Sequence, residues 1–422
     1  MKICDKREWK QSLLTSVCGY RISLFKTFPL KLFALFSFSR LLFRRMTTNN
    51  NSSELHHRAI VIDLHADTAQ RLVDEKDFDI MARNNDGHLD APRMREGGLD
   101  AQFFSIWVEP EHYGIGGETA VNRADAQIEA VHGMTQKHPG AWELATTADD
   151  IRRISSEGKL SALMGLEGGY AIDDKLENVE KYFSLGVRYM SPAWSVSTRW
   201  AGSSNDEIGK SLGLTEFGKD VIREMNSFRM MVDVSHVSDL AFWDIIQTTK
   251  KPVIASHSNA RSLANHPRNL GDDMIRAVGD IGGVMCVVFF PTFLDDEWAT
   301  SKNKIDEELK SHLISLAEET EGTFVDKWQA KEKFRMKEFA KRIKPVTVAR
   351  VVDHVDHIVR LSSVDNVGIG SDFDGIPATP SDLSSVSDLP NLTEELLQRG
   401  YSENDVEKIL GENVLRVMSE NV

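Results

Sequence analysis

The sequence predicts an α/β protein, and within that class a (β/α)8 TIM barrel, on three observations. Eight apolar, β-branched runs recur between residues 59 and 372, separated by stretches with helical spacing of apolar residues. Ionisable residues stand at the carboxyl ends of these runs. A long charged stretch of helical character follows the seventh run. A doubly wound open sheet is the alternative topology, because strand counts taken from sequence alone are fragile.

The predicted strands share β-branched and apolar residues bounded by turns or polar positions. They are Ala59–His65, Leu99–Val108, Leu160–Leu166, Val187–Trp194, Met230–His236, Pro252–His257, Gly282–Phe290 and Val367–Asp372. The charged stretch Asp295–Lys344 predicts a helical excursion, either a plain surface helix pair or a cover for the face where the strands end. Val346–Leu361 predicts a helix whose His354 and His357 take polar positions and bind no metal. Leu389–Met418 predicts closing C-terminal helices.

Charge divides the chain into two parts. Residues 1–45 carry +8 and the whole chain carries −14, so the remaining residues carry −22. A domain this acidic should repel nucleic acid and anionic lipid, so we expect no nucleic-acid partner. We therefore predict a basic, apolar leader over 1–45 and a single domain over 55–420.

The leader leaves three interpretations open. Ser23–Phe43 is rich in Leu and Phe, but two lysines, an arginine and a proline interrupt it, so it makes a poor membrane span. It is an amphipathic anchor, a degraded export signal, or upstream sequence that is not translated. Met46, with the polar run behind it, favours the last interpretation and a cytoplasmic protein. The other two predict a membrane-anchored or exported protein.

The ionisable residues at the strand ends predict a metal site. Because the carboxyl ends of barrel strands converge on one face, these residues are expected to meet there. They are His65, Asp67, Glu167, His236, His257, Asp372 and Asp374. Each alone has a structural explanation, such as a hydrogen-bonded His or an N-capping Asp. Burying all of them at one place is costly unless they are paired or bind metal.

The types of ligand indicate the chemistry. Imidazole and carboxylate suit Zn²⁺ or similar divalent ions, and His65, Asp67, Glu167, His236 and His257 suffice for two ions that share one carboxylate. Two such ions activate water and polarise a carbonyl, and a free carboxylate nearby shuttles the proton. The residues therefore predict hydrolysis of an amide or ester.

Six segments resemble the membrane (renal) dipeptidase family and occur in the family's order. They are Ile62–Asp67, Gly165–Gly169, Asp233–Asp239, Pro252–Ala260, His266–Asn269 and Gly368–Gly375. The resemblance implies a zinc-dependent hydrolase that cuts small dipeptides, including those with a C-terminal D-residue. Members often form homodimers, although no residue pattern here indicates one.

The resemblance also implies a role for each ligand. His65 and Asp67 would hold one Zn²⁺ and His236 and His257 the other, with Glu167 and a water or hydroxide bridging the two ions.

Two further residues take implied roles in the reaction. Asp372 is implied to take a proton from the bridging water and deliver it to the leaving amine. Arg268 is implied to bind the substrate carboxylate, which a guanidinium meets with two parallel hydrogen bonds. A surface salt bridge is the structural alternative for Arg268. Asp374 is expected only to orient neighbours or cap a turn.

Two predicted substrate-binding positions depart from the family pattern. Trp194 stands where members often have a His, and Phe290 where some have a Tyr. An indole donates one hydrogen bond but carries no charge, so these changes affect substrate preference before metal chemistry. Two alternatives follow: a related binuclear amidohydrolase acting on another small amide or lactone, and a non-catalytic binding protein on the same fold.

Overall fold

The structure is a computed structural model, and it describes residues 52–421. The predicted leader over 1–45 lies outside the described residues. Within 52–421, none of the helices combines the length and the apolar character that a membrane span requires.

Eight parallel strands form the barrel, in the spatial order β6-β5-β4-β2-β1-β9-β8-β7. With β3, which is not one of these eight, the strands of the described residues are β1 Ile62–Ala66, β2 Ala101–Trp107, β3 Trp142–Leu144, β4 Leu160–Glu167, β5 Val187–Met190, β6 Met231–Val232, β7 Ile254–Ala255, β8 Val284–Val287 and β9 Val367–Ile369. A parallel bridge between Asp233 and Ile254 joins the two ends of the sheet. The Val234 N–H strengthens this junction by donating to the Ile254 carbonyl over 2.7 Å. The predicted barrel is confirmed.

Each of the eight predicted runs contains one barrel strand, but most strands are shorter than predicted. The run Met230–His236, for example, keeps only Met231–Val232 as strand, because the residues that follow turn across the end of the barrel. The short strand β3 was not predicted. It pairs with the first half of β4, outside the barrel circle, and its three residues are too few to show a period.

Helices surround the barrel and begin at polar capping residues. Thr147, Thr323 and Ser402 each form a capping box at the start of a helix, which satisfies N–H groups that the helix leaves free. The helices are α1 over 52–58, α2 Thr68–Asp74, α3 Ala91–Glu96, α4 Pro110–Tyr113, α5 Glu118–Lys137, α6 Ala148–Ser156, α7 Glu177–Ser184, α8 Glu216–Phe228, α9 Asp239–Thr248, α10 Asp272–Asp280, α11 Pro291–Leu294, α12 Asp296–Glu319, α13 Phe324–Arg342, α14 Val348–Leu361, α15 Pro390–Arg399, α16 Glu403–Glu407 and α17 Asn413–Asn421.

The closing helices seal the amino-terminal end of the barrel. Inward side chains of the strands, such as Leu64, Phe103 and Met231, join Val414 and Met418 of α17 in one buried cluster. The π-helical turn Lys408–Glu412 leads into α17. The predicted closing helices are confirmed, and they leave only the carboxyl face of the barrel available for chemistry.

The helical excursion after the seventh barrel strand is also confirmed. Helices α12 and α13 pack around a small buried cluster that includes Trp298 and Phe339. The excursion also contacts α2, because the Gln329 amide donates to Glu75 Oε1 over 2.8 Å.

The expected polar positions of His354 and His357 were wrong. Both side chains are buried, since α14 presents them to neighbouring elements and not to solvent. His354 accepts the Ala260 N–H and lies 3.0 Å from the Leu294 carbonyl, and His357 bonds to Asp272. Helical spacing alone did not reveal these partners.

His56 makes the stability of the fold dependent on pH. Its Nε2–H donates to the Gly97 carbonyl over 2.8 Å, and its Nδ1 accepts the Thr393 hydroxyl over 2.7 Å, so α1 is tied to two other elements. Burial lowers the pKa of His56 from 6.5 to about 4. Between these two values the unfolded chain binds more protons than the folded chain, so stability falls as the pH falls.

We expect His56→Leu to reduce this loss of stability. His56 contributes to the free energy of unfolding above pH 6.5, and this contribution is lost as the pH falls from 6.5 to 4. The loss is about 3 kcal/mol at most. Urea unfolding at several pH values measures it. His57→Gln is the matched control: His57 is the exposed neighbour, and burial outweighs its charge as the cause of the lowered His56 pKa, so this variant should keep most of the wild-type pH dependence. Equal slopes in His56→Leu and wild type would contradict the assignment.

Candidate metal centre

The other four predicted ligands converge around Glu167 at the carboxyl face of the barrel. His65 Nε2 lies 3.3 Å from Glu167 Oε2 and 3.8 Å from Asp67 Oδ2. On the other side, His236 Nε2 and His257 Nε2 lie 2.9 Å and 3.5 Å from Glu167 Oε1. All five side chains are buried. The structure thus brings together residues from four strand ends.

Local backbone geometry aims these side chains over the barrel. His65 is on β1 and Glu167 is the last residue of β4. His236 and Asp372 have positive φ angles of 71° and 66°, a conformation that costs energy for residues other than glycine and is typical of functional sites. A Cβ on Gly375 would lie 2.0 Å from Asp67 Oδ2 and 2.6 Å from Asp372 Oδ1, so only glycine leaves room for both carboxylates.

Two buried carboxylates that the sequence analysis did not assign hold the strand ends together. Asp63 on β1 accepts the Ser371 N–H over 2.8 Å and the Ser371 hydroxyl over 2.5 Å, across to the end of β9. Ser371 directly precedes Asp372. Burial raises the pKa of Asp63, and the Ser371 hydrogen bonds oppose that rise.

Asp233 repeats this arrangement at the junction of β6 and β7. It accepts the Ser256 N–H over 2.9 Å and the Ser256 hydroxyl over 2.6 Å. Ser256 directly precedes His257, and its oxygen lies 2.8 Å from His257 Nδ1. Since the Ser256 proton is donated to Asp233, Nδ1 of His257 carries the hydrogen and donates it to Ser256. The Nε2 lone pair of His257 therefore faces Glu167.

Tyr189 orients the His65 ring as Ser256 orients that of His257, by accepting a hydrogen bond from Nδ1. The Tyr189 hydroxyl donates to the Leu64 carbonyl over 3.0 Å, and its oxygen lies 2.9 Å from His65 Nδ1. Nδ1 of His65 is then a donor, and Nε2 points toward the carboxylates of Asp67 and Glu167. This Nε2 is buried and has no hydrogen-bond partner among the described residues.

Electrostatics at the cluster favour a cation. Burial opposes ionisation of Glu167, but His65 and His236 outweigh it and hold the pKa of Glu167 well below its usual value. Burial also disfavours a charge on His65, yet the carboxylates of Glu167 and Asp67 raise the pKa of His65 well above its usual value. Burial lowers the pKa of His236 to about 3. The cluster therefore contains an ionised carboxylate and a neutral imidazole, and both groups can bind a cation.

These residues fit a divalent metal site. Ligand atoms of His65, Glu167 and His257 lie within 4.8 Å of one another, and so do those of His65, Asp67 and Asp372. Ligands bound tetrahedrally at about 2.1 Å stand roughly 3.4 Å apart, which is close to the separations given above. The unpartnered His65 Nε2 and the mixed nitrogen and carboxylate donors agree with that fit. Asp372, which was predicted to move a proton and not to bind metal, thus lies within reach of the same ion as His65 and Asp67.

Arg268 lies beside the ligands with an unused donor. It is 3% exposed, and its Nη2 donates to the His257 carbonyl over 3.3 Å, whereas its Nη1 has no partner among the described residues. Burial lowers the pKa of Arg268 to about 10, and Asp372 and Glu167 oppose the change, so the side chain is charged at neutral pH. A buried cation with a free N–H is suited to an anionic ligand group. The surface salt bridge considered for Arg268 is thereby excluded.

Comparison with known proteins identifies the family. The model of the Membrane dipeptidase family (Peptidase family M19) matches residues 49–422. The chain belongs to the membrane dipeptidase family. It is therefore a metal-dependent hydrolase of peptide bonds, which decides against a non-catalytic binding protein.

Individual relatives agree with this membership. Dipeptidase tcpJ from Claviceps purpurea (strain 20.1) is 32% identical over 339 residues, which are 79% of this chain and 69% of that protein. The probable dipeptidase PvdM from Pseudomonas aeruginosa superposes with a TM-score of 0.73 at 26% identity, covering 89% of this chain and 98% of that one. A metallo peptidase from Rhodobacter sphaeroides, liganded with a phosphinate mimic of the dipeptide L-Ala-D-Ala, gives 0.69 at 26% identity, covering 86% and 100%.

The remaining predicted positions differ in how close they lie to the ligands. The Trp194 ring centroid is 6.2 Å from that of His236, so this dipeptidase-family member has an indole beside a candidate ligand. Phe290 packs on Phe293 and Trp298. Arg268 lies above the ring of Phe293, so Phe290 is linked to the centre through Phe293.

Asp374 has the orienting contacts expected for it. It accepts the Thr68 hydroxyl and the His88 N–H, each over 2.6 Å. Thr68 begins α2 directly after Asp67, so Asp374 holds the helix that follows this candidate ligand.

Loss of the Ser256 hydroxyl should weaken metal binding. We expect Ser256→Ala to lower the affinity for Zn²⁺ about 10- to 100-fold, because His257 loses the acceptor that fixes its ring and tautomer. Competition with a chelating dye measures this affinity. Ser161→Ala is the matched control, since the Ser161 hydroxyl is buried on β4 without a partner among the described residues. Equal affinities in the two variants would contradict the role given to Ser256.

Proposed function

We propose that this chain is a dipeptidase that uses two Zn²⁺ ions to hydrolyse small dipeptides, including those with a D-residue at the C-terminal side. The position of Glu167 between His65 and Asp67 on one side, and His236 and His257 on the other, carries the proposal. The relative liganded with a mimic of L-Ala-D-Ala supports the substrate class.

The five ligands have distinct tasks in this proposal. His65 and Asp67 would hold one ion, His236 and His257 would hold the other, and Glu167 would serve both. Divalent ions held there supply Lewis acidity, which polarises a carbonyl and makes water nucleophilic near neutral pH. Ser105 and Gln70 orient the carboxylates, since they donate to Glu167 Oε2 over 2.8 Å and to Asp67 Oδ1 over 3.0 Å.

Asp372 moves the proton and Arg268 positions the substrate. Burial, together with Asp67 and Glu167, raises the pKa of Asp372, which makes its carboxylate a stronger base than a solvated one. It accepts a proton from the attacking water and gives it to the nitrogen of the leaving amine. The unused Nη1 of Arg268 binds the terminal carboxylate, so the scissile amide is held near Asp372 and Glu167.

A panel of L,L and L,D dipeptides tests the proposal. Zinc-loaded protein should hydrolyse members of the panel, and Asp372→Asn should lower kcat about 100- to 10,000-fold because the proton shuttle is lost. Product amino acids are quantified by chromatography. Asp372→Asn should still bind as much zinc as wild type, since all five ligands stay in place. Absence of turnover across the whole panel in zinc-loaded wild type would refute the dipeptidase assignment.

Arg268 should govern recognition of the substrate carboxylate. We expect Arg268→Met to lower kcat/KM for a dipeptide roughly 10- to 100-fold, the loss of a charged hydrogen bond. The same variant should change kcat/KM much less for the C-terminal amide of that dipeptide, which offers no carboxylate. Arg223→Met is the control, since Arg223 is exposed on α8 and pairs with Asp220. Equal losses on acid and amide would contradict the role.

One observation favours a second candidate, a related amidohydrolase acting on another small amide or lactone. Trp194, and not a His, stands beside His236. Small amides and lactones therefore belong in the substrate panel, and Trp194→His should shift the substrate profile if this candidate is correct.

Four calls made from the sequence stay predictions. They are the single domain over 55–420, the interpretations of the leader, the localisation and the homodimer.

A further inference from the structure

Two indoles line one side of the metal centre. Trp107 is the last residue of β2 and is in register with Glu167 on β4. Trp194 follows β5, with its ring centroid 4.9 Å from that of Trp107, at an interplanar angle of 65°, and 6.2 Å from that of His236. The two rings thus form a continuous aromatic surface next to two candidate ligands. We call this pair the indole wall.

The indole wall is held in place by neighbouring polar groups. The Trp107 carbonyl accepts the Gln127 amide over 2.6 Å, and the Trp107 N–H donates to the same side chain over 3.3 Å. The Trp194 carbonyl accepts the Ser203 hydroxyl. Gly168 has a φ of +82°, and a Cβ there would lie 2.5 Å from the Tyr170 ring and 3.3 Å from the Trp194 Cβ. Both indoles are half-buried, so each keeps part of its surface accessible.

The order of the strands places the indole wall opposite the charged side of the centre. Strands β2 and β5 flank β4, whereas β7, β8 and β9 lie across the barrel. Arg268 follows β7 and Asp372 follows β9. A dipeptide that places its carboxylate at Arg268 and its amide among the ligands therefore directs its N-terminal residue toward Trp107 and Trp194.

We propose that Trp107 and Trp194 select dipeptides with a large apolar or aromatic side chain on the N-terminal residue. This inference rests on the proposed dipeptidase function. Indole faces and edges gain the most by covering apolar and aromatic surface, and the wall offers no charged group to a charged side chain. Trp194 thereby replaces an ionisable family residue with a surface for apolar contact.

The ratio of kcat/KM for Phe-Ala to that for Gly-Ala tests the proposal. We expect the wild-type ratio to be about 10 to 100, since differences of a few apolar groups discriminate on this scale. Trp107→Ala and Trp194→Ala should each lower the ratio several-fold. Trp243→Leu is the control for loss of a half-buried indole, because Trp243 lies on α9 and packs on Phe242, and it should keep the wild-type ratio.

Calorimetric binding of the same two dipeptides to zinc-loaded Asp372→Asn separates this proposal from the dipeptidase assignment. If Phe-Ala binds more tightly than Gly-Ala, and if adding Trp194→Ala removes this difference, the selectivity proposed for the indole wall is supported whatever the turnover is. A wild-type ratio near one, a preference for Lys-Ala or Glu-Ala, or equal affinities for Phe-Ala and Gly-Ala would overturn it. Lack of turnover with preserved binding preference would refute only the assigned reaction.

Discussion

The burial of Glu167 among three imidazoles is the constraint on which the rest of the site depends. An ionised carboxylate in the interior is costly unless opposite charge and hydrogen bonds compensate for it. His65, His236 and Ser105 provide part of that compensation. Since the partners come from different strands, the compensation exists only when the barrel has closed. Stability of the fold and formation of the metal centre are therefore coupled.

Buried, hydrogen-bonded carboxylates also hold together two pairs of neighbouring strands. Asp63 joins β1 to the end of β9 through Ser371, and Asp233 joins the end of β6 to that of β7 through Ser256. In each case the serine directly precedes a residue of the centre. Each aspartate must be desolvated, and burial raises its pKa accordingly. These buried hydrogen bonds fix the positions of Asp372 and His257 more tightly than apolar packing would, because hydrogen bonds are directional.

The centre has two chemically different sides. In the reaction we propose, Arg268 and Asp372 provide charge and proton transfer on one side, while Trp107 and Trp194 offer apolar and aromatic surface on the other. A reaction common to a family needs the ligands and the charged side, and these match the family pattern. Trp194, on the indole side, is where this chain departs from that pattern. In our proposal, separate residues within one small volume therefore carry substrate preference and metal chemistry.

The barrel and the strand-end residues that meet on its carboxyl face were predictable from the sequence, because both are local patterns. Apolar runs ending in His65, Glu167 or His257 indicate strands whose carboxyl ends carry chemistry, and parallel strands bring such ends together. The roles of Asp63 and Asp233 were not predictable, since each occupies an ordinary strand position in the sequence. Their hydrogen-bond partners lie on other strands and are defined only by strand register and closure.

Distances between elements were decided by the tertiary structure alone. The approach of Trp107 to Trp194, the burial of His354 and the unused Nη1 of Arg268 depend on how loops pack above the barrel. The sequence by itself determined which ligands and which charges are present on this protein's carboxyl face. The tertiary structure determined which of them touch, because contacts between distant residues depend on strand order, register and packing and not on any local pattern.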